Sequence, residues 1–236
     1  MKIGILVTGH IDEPHFETYV GYAHMFQQLF HKADVEFEYD VFNVIDEQWP
    51  SAIDSCDAWL ITGSACGVYE NTPWMQTLKK WIIHIHEQGI PMVGICFGHQ
   101  IIAQAFAGKV EKFSGGWAVG PHTYELNGVT LEGKTQITLN AVHQDQVIEK
   151  PSNATCVASS SFCENAILTY GDKILTVQAH PEFTSEYELA LLNMHKGKEI
   201  ALDPSENALE RMRNSPQIMD DLAVARWMAR VLQGVS

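Results

Sequence analysis

Positive charge is scarce in this sequence. Fifteen Lys and Arg residues stand against 29 Asp and Glu in 236 residues, a formal net charge of −14 at pH 7. A surface that acidic repels phosphate backbones and anionic headgroups, so no nucleic acid and no membrane is expected as a partner. Long apolar runs are missing as well, since no window approaches the roughly 18 uninterrupted apolar residues of a membrane helix. The apolar stretch from Met1 to Gly9 has no small-residue cleavage site and meets His10, Asp12 and Glu13 at once. It reads as a buried first strand rather than a secretory leader. Five cysteines (Cys56, Cys66, Cys96, Cys156 and Cys163) form no C-x-x-C pair and no zinc-finger spacing. Free thiols in a reducing cytoplasm are expected. The chain also shows no Gly-rich phosphate cradle, internal repeat or low-complexity tract.

What is present is ordinary globular material, 46% hydrophobic and 19% charged, with short apolar runs alternating with amphipathic stretches. That rhythm predicts strand–helix–strand units around an open, mainly parallel sheet of an α/β fold. Strands are expected at Lys2–Thr8, Val35–Phe42, Ala58–Thr62 and Pro91–Ile95, with helices near Tyr19–Lys32 and Pro73–Gln88 and another after Gly98. Between Lys109 and Gly133, Gly115-Gly116 and Gly120-Pro121 break the chain into short pieces that suggest hairpins, a small antiparallel section. Strand signals return at Thr135–Leu139, Ala154–Ser159, Ala166–Tyr170 and Ile174–Ala179, the last two joined by the turn Tyr170-Gly171-Asp172-Lys173. Three helices should follow. Ser185 with Glu188 and Asp203-Pro204 with Glu206 have the form of capping boxes, and Ser215-Pro216 opens the third. In that last helix Ile218, Leu222, Ala225, Met228 and Leu232 form one apolar face, suited to packing on the chain itself or on a second copy in a homodimer. Residues 1–185 read as one domain and 186–236 as a helical C-terminal annex on it.

The sharpest chemical feature is Gly94-Ile95-Cys96-Phe97-Gly98-His99-Gln100, after the strand and before a helix pattern. Glycines two before and two after a nucleophile let a strand turn abruptly into a helix with the middle side chain at the apex. The amides of the following helix then point at the Cys96 sulfur and favour the thiolate. A lone cysteine ending a core strand is ordinarily just buried. The second feature, His180-Pro181-Glu182 at the end of a strand, changes that weighting. Residues i and i+2 of an extended chain project to one side, so Glu182 can hold one imidazole nitrogen while the other faces a thiol.

Together these motifs resemble the class I glutamine amidotransferase family, and Leu60-Ile61-Thr62-Gly63-Ser64 falls at its oxyanion loop. The resemblance implies a flavodoxin-like fold, attack on a γ-glutamyl amide through a thioester, and no metal or organic cofactor. It assigns Cys96 as nucleophile, His180 as general base and acid, and Glu182 as its orienter. It places the oxyanion hole at Phe97, Ser64 and Gly63, and the substrate's α-groups at Gln100, His143, Gln144 and Asp145. Two departures stand out. Gly63-Ser64 replaces a Gly-Gly loop, and His143-Gln144-Asp145 replaces His-Gly-Asp, which looks more like the γ-glutamyl peptidase branch. Two readings follow for the small-molecule substrate, glutamine or a γ-glutamyl peptide. A third is a catalytically weak subunit or binding protein, active only with a separate ammonia-accepting synthetase. About 50 residues after Glu182 leave no room for a synthetase domain, so such an acceptor would be another polypeptide.

Overall fold

Alternation at every second residue divides the core in two. In β1 (Lys2–Val7) Ile3, Ile5 and Val7 face one side of the sheet and Leu6 the other. In β3 (Ala58–Ile61) Ala58 and Leu60 oppose Trp59 and Ile61, and in β4 (Met92–Ile95) Val93 and Ile95 oppose Met92. Both sets are buried, so helices must cover both faces. The computed structural model describes residues 1–11, 19–214 and 217–235. On one face lie α1 (Tyr22–Lys32), through Phe26, Leu29 and Phe30, and the C-terminal α6 (Asp221–Leu232), through Val224, Met228 and Leu232. The other face is covered by α2 (Pro73–Glu87), through Met75, Leu78 and Ile82, and α3 (Phe97–Ala105), through Ile101 and Ile102. No helix among the described residues is long and apolar enough to cross a membrane.

Among the described residues the main sheet has nine strands. Its parallel block runs β2 (Glu38–Asn43), β1, β3, β4, β11 (Ile174–Val177), the doubly wound, flavodoxin-like order. Antiparallel β10 (Ile167–Tyr170), β9 (Thr155–Ser159), β6 (Ala118–Leu126) and β7 (Gln136–His143) extend it beyond β11. β5 (Lys109–Lys112) pairs with β8 (Asp145–Glu149) in a separate two-stranded ribbon. α4 (Ser185–His195) and α5 (Leu202–Asn214) stack together, and α5 lays Ala208, Leu209 and Met212 over Val119 of β6.

Four local expectations need correction. The glycine-rich stretch does pair antiparallel, as expected of hairpins, but with partners beyond it: β6 turns back onto β7 while β5 crosses to β8, a strand the pattern did not suggest. The cap of α4 is Thr184, whose Oγ1 accepts from the Tyr187 amide at 3.2 Å, so Ser185 and Glu188 form no capping box. The helix at Asp203-Pro204 begins earlier, at Leu202. Ser215 and Pro216 lie outside the described residues, and α6 begins only at Asp221. There Asp220 accepts from the Thr138 amide at 2.8 Å and pairs with Lys134, which pins the helix start to β7. Ile218 therefore precedes the helix and is 86% exposed, leaving the apolar face to its other members.

Candidate active site

The strand-to-helix turn after β4 is tight because three backbones meet there. A Cβ on Gly94 would lie 2.6 Å from the Gly98 carbonyl oxygen, and one on Gly98 would lie 2.4 Å from the Ile61 carbonyl oxygen of β3. With side chains excluded from both positions, the Gly98 amide reaches the Thr62 carbonyl at 3.1 Å. Cys96, between them, is held at φ 51° and ψ −102°, a left-handed conformation that costs a non-glycine residue about 1–3 kcal/mol. Its amide donates to Val177 of β11 at 2.8 Å and its carbonyl accepts from Gln100 at 3.0 Å. The surrounding structure thus over-determines the strained residue and leaves its thiol at the carboxyl ends of the parallel strands.

His180 arrives at the same point from the end of β11. Its Nδ1 lies 2.8 Å from Oε1 of Glu182, both side chains being almost fully buried. With Nδ1 occupied, Nε2 is the nitrogen left for the neighbouring Cys96. Burial alone would lower the His180 imidazole, but Cys96 and Glu182 outweigh it and hold the ring well above its usual range. The ring plane is set by Phe183, stacked at 4.0 Å and 6°. Asn140 grips this segment twice, accepting from the His180 amide at 2.8 Å and donating to the Phe183 carbonyl at 2.9 Å.

The loop after β3 closes the third side. The hydroxyls of Thr8 and Thr62 lie 2.9 and 3.1 Å from the Gly63 carbonyl oxygen. A Cβ on Gly63 would stand 3.1 Å from His180 Cε1 and 3.7 Å from Cys96 Cβ, so this position lies directly against the pair. In a trans peptide the N–H points opposite to the C=O, which turns the Ser64 amide away from the two threonines.

A cavity of about 530 Å³ opens above the thiol. Of the residues singled out from sequence, Cys96, His180, Ser64, Gln100, His143, Gln144 and Asp145 border it, while Glu182, Gly63 and Phe97 do not. Burial lowers His143 to about 3, with nearby His180 adding to the effect, so its ring is neutral. Its Nδ1 meets the Asp145 carbonyl at 3.2 Å, and its Nε2 has no hydrogen-bond partner among the described residues. Gln100 spends both amide hydrogens on protein acceptors, the Asp145 carbonyl at 3.0 Å and Gln178 Oε1 at 3.2 Å. Gln144 reaches the Phe113 carbonyl at 3.4 Å, and Asp145 accepts from the Tyr69 hydroxyl at 3.4 Å. Several residues around this site were not singled out from sequence, Gln178, Phe183, Tyr187, Leu191, His195 and Ile200, and Glu188 was read only as a helix cap. Phe183 and Gln178 had a local signal, being next to His-Pro-Glu and two residues before it; the others depend on where α4 and the segment after it land.

Glu188 of α4 is fully buried, accepts from the Gly120 amide at 2.9 Å through Oε1, and has no partner for Oε2 among the described residues. Burial pushes its carboxyl from the usual 4.5 to about 8, against the opposing pull of the Gly120 bond and His180. The folded protein therefore keeps a proton that the unfolded chain releases above about 4.5, and stability falls as pH rises from there to about 8. Glu188→Gln removes the titration. Relative to wild type, its melting temperature is expected to rise by several degrees between pH 5 and pH 9. An offset that is the same at both pH values would assign the titration elsewhere.

The family model for glutamine amidotransferase class-I matches residues 16–194. The chain belongs to that family. Among its relatives, gamma-glutamyl peptidase 3 of Arabidopsis thaliana is 29% identical over 209 residues, 82% of this chain and 83% of the relative. A Leptospira interrogans protein named "Probable GMP synthase" is 33% identical over 132 residues, 52% of this chain and 20% of that protein. The fold matches a glutamine amido transferase from Methylobacillus flagellatus with a TM-score of 0.72 at 18% identity, covering 100% of this chain and 95% of the other.

Proposed function

We propose that the protein is a cysteine hydrolase that cleaves the γ-amide of γ-glutamyl peptides. The observation that carries this reading is the buried His180–Glu182 pair, 2.8 Å apart, brought beside the Cys96 thiol at the base of the cavity. The Cys96 thiolate attacks the γ-glutamyl carbonyl carbon, and the oxyanion is met by the amides of Phe97, at the start of α3, and Ser64. His180 then gives its proton to the departing amine, the C–N bond breaks and a γ-glutamyl thioester remains. Water, deprotonated by His180, attacks the thioester, and glutamate leaves as the thiolate is restored. Glu182 keeps Nδ1 protonated throughout, so that Nε2 is the nitrogen that exchanges protons with the reacting groups.

The cavity supports a peptide over glutamine. Its lining includes Glu70, Lys112, Gln144 and Asp145, suited to the α-ammonium and α-carboxylate of the γ-glutamyl group. Because Gln100 has spent its hydrogens, it meets the substrate as an acceptor, which fits the ammonium. The cavity lining also includes the apolar Trp117, Tyr187, Leu191 and Ile200, which a peptide leaving group can bury and ammonia cannot. The fuller length match to gamma-glutamyl peptidase 3 points the same way. Burying about 55 Å² of apolar leaving group is worth about 1.4 kcal/mol, a factor of about ten. Glutamate release from γ-glutamyl dipeptides is accordingly expected to exceed that from glutamine at least about tenfold in kcat/KM. If glutamine alone were turned over, the peptide reading would fail and a separate ammonia-accepting synthetase would be the partner to seek. If neither were turned over, the site would serve recognition.

A further inference from the structure

The catalytic sequence above makes no use of Gln178, yet its side chain reaches the reacting sulfur. Gln178 follows β11 and is fully buried, with Nε2 3.7 Å from Cys96 Sγ and Oε1 3.2 Å from Gln100 Nε2. Gln100 Nε2 in turn donates to the Asp145 backbone carbonyl at 3.0 Å. Amide oxygen and nitrogen are told apart by their partners, and here the partners leave one solution. A backbone carbonyl can only accept, so Gln100 presents its NH₂ to Asp145. The same NH₂ meets Gln178, which answers with its oxygen, and the NH₂ of Gln178 is thereby turned onto the sulfur. Reversing Gln178 would set two NH₂ groups face to face, and reversing Gln100 would set two oxygens together.

We propose that Gln178 is a positioning residue that gives the Cys96 sulfur a hydrogen-bond donor distinct from the His180 of the proposed reaction, with its orientation locked through Gln100 to the Asp145 backbone. The inference rests on Cys96 being the nucleophile of the proposed reaction. A donor to sulfur gains strength when the sulfur is charged, so Gln178 favours the thiolate and holds it in line for attack. The other titratable groups around the sulfur do not take over this role. Burial keeps Tyr124 far above its usual range and raises Cys163 to about 12, so both are neutral. The Asp145 carboxyl is directed to Tyr69, and Glu182 engages His180.

The test is the pH dependence of Cys96 alkylation by iodoacetamide, followed by mass spectrometry of the Cys96 peptide and needing no substrate. Wild type is compared with Gln178→Met, of similar length without a donor, and Gln178→Glu, which can still accept from Gln100. Thermal melting shows that each is folded. The half-maximal pH is expected to rise by about one to two units in Gln178→Met, as loss of a hydrogen bond to a charged group requires, and further in Gln178→Glu. Should Gln178→Met fail to fold, Gln178→Glu and the orientation-breaking Gln100→Met carry the same test. A folded variant whose profile superimposes on wild type overturns the role of Gln178 and leaves the hydrolase reading intact. Wild-type Cys96 that is not alkylated at any pH tested overturns the nucleophile reading itself.

Discussion

Cys96→Ala is expected to lower glutamate release by about 10⁴-fold or more while the protein still folds. Alanine occupies the strained position with the same Cβ, and the three backbone hydrogen bonds that hold residues 96 and 98 do not involve the sulfur. Glu182→Gln is the more discriminating partner experiment. A carboxylate 2.8 Å from Nδ1 can only accept, whereas a glutamine amide there can donate and would stabilise the tautomer with hydrogen on Nε2. That tautomer cannot take a proton from the thiol or from water, so kcat should fall by about 10² to 10⁴. Rates of glutamate release at saturating peptide, with melting curves as the fold control, decide both. A Cys96→Ala protein with wild-type turnover would remove Cys96 from the chemistry.

Gly98→Ala is expected to damage stability and activity together. The new Cβ would meet the Ile61 carbonyl oxygen at 2.4 Å and the Ile61 carbonyl carbon at 3.0 Å, atoms of a central strand that cannot swing aside as a side chain would. Separating α3 from β3 breaks the 3.1 Å bond from Gly98 to Thr62 and overpacks a core already filled on both faces. Such overpacking costs about 3 kcal/mol, or about 6–12 °C in Tm for a chain of this size. The same displacement moves Cys96 relative to the Gly63–Ser64 loop and His180, so kcat should drop by at least about tenfold even well below Tm. Thermal melting and steady-state rates at 15 °C separate the two effects. A variant that melts like wild type would mean that the packing at this elbow is looser than the close approach of β3 and α3 requires.

The parallel block was legible because its information is local. Ile3, Ile5 and Val7 alternate with Leu6 within one strand, and Phe26, Leu29 and Phe30 recur at helical spacing within one helix. The glycines around Cys96 and the i, i+2 spacing of His180 and Glu182 belong to the same class of signal. The antiparallel half was harder. β8 was missed because Asp145–Glu149 pairs with a strand more than 30 residues earlier, and its own alternation is short. The start of α6 was misplaced because Asp220 is fixed by Lys134 and Thr138, partners that the helix pattern does not contain.

By itself the sequence determined the sharp turn that places Cys96 at the head of α3, the pairing of His180 with Glu182, and an α/β sheet covered on both faces. Those features follow from residues at most a few positions apart, where backbone geometry alone dictates which side chains meet. Only the tertiary structure decided that Gln178 turns its amide onto the sulfur, that Phe183 stacks on the His180 ring, that α4 buries Glu188 against the Gly120 amide, and that Trp117, Tyr187, Leu191 and Ile200 line the cavity. Each of those contacts joins side chains that depend on strand register, crossover and helix docking, and a one-residue slip in any of them would separate the same side chains.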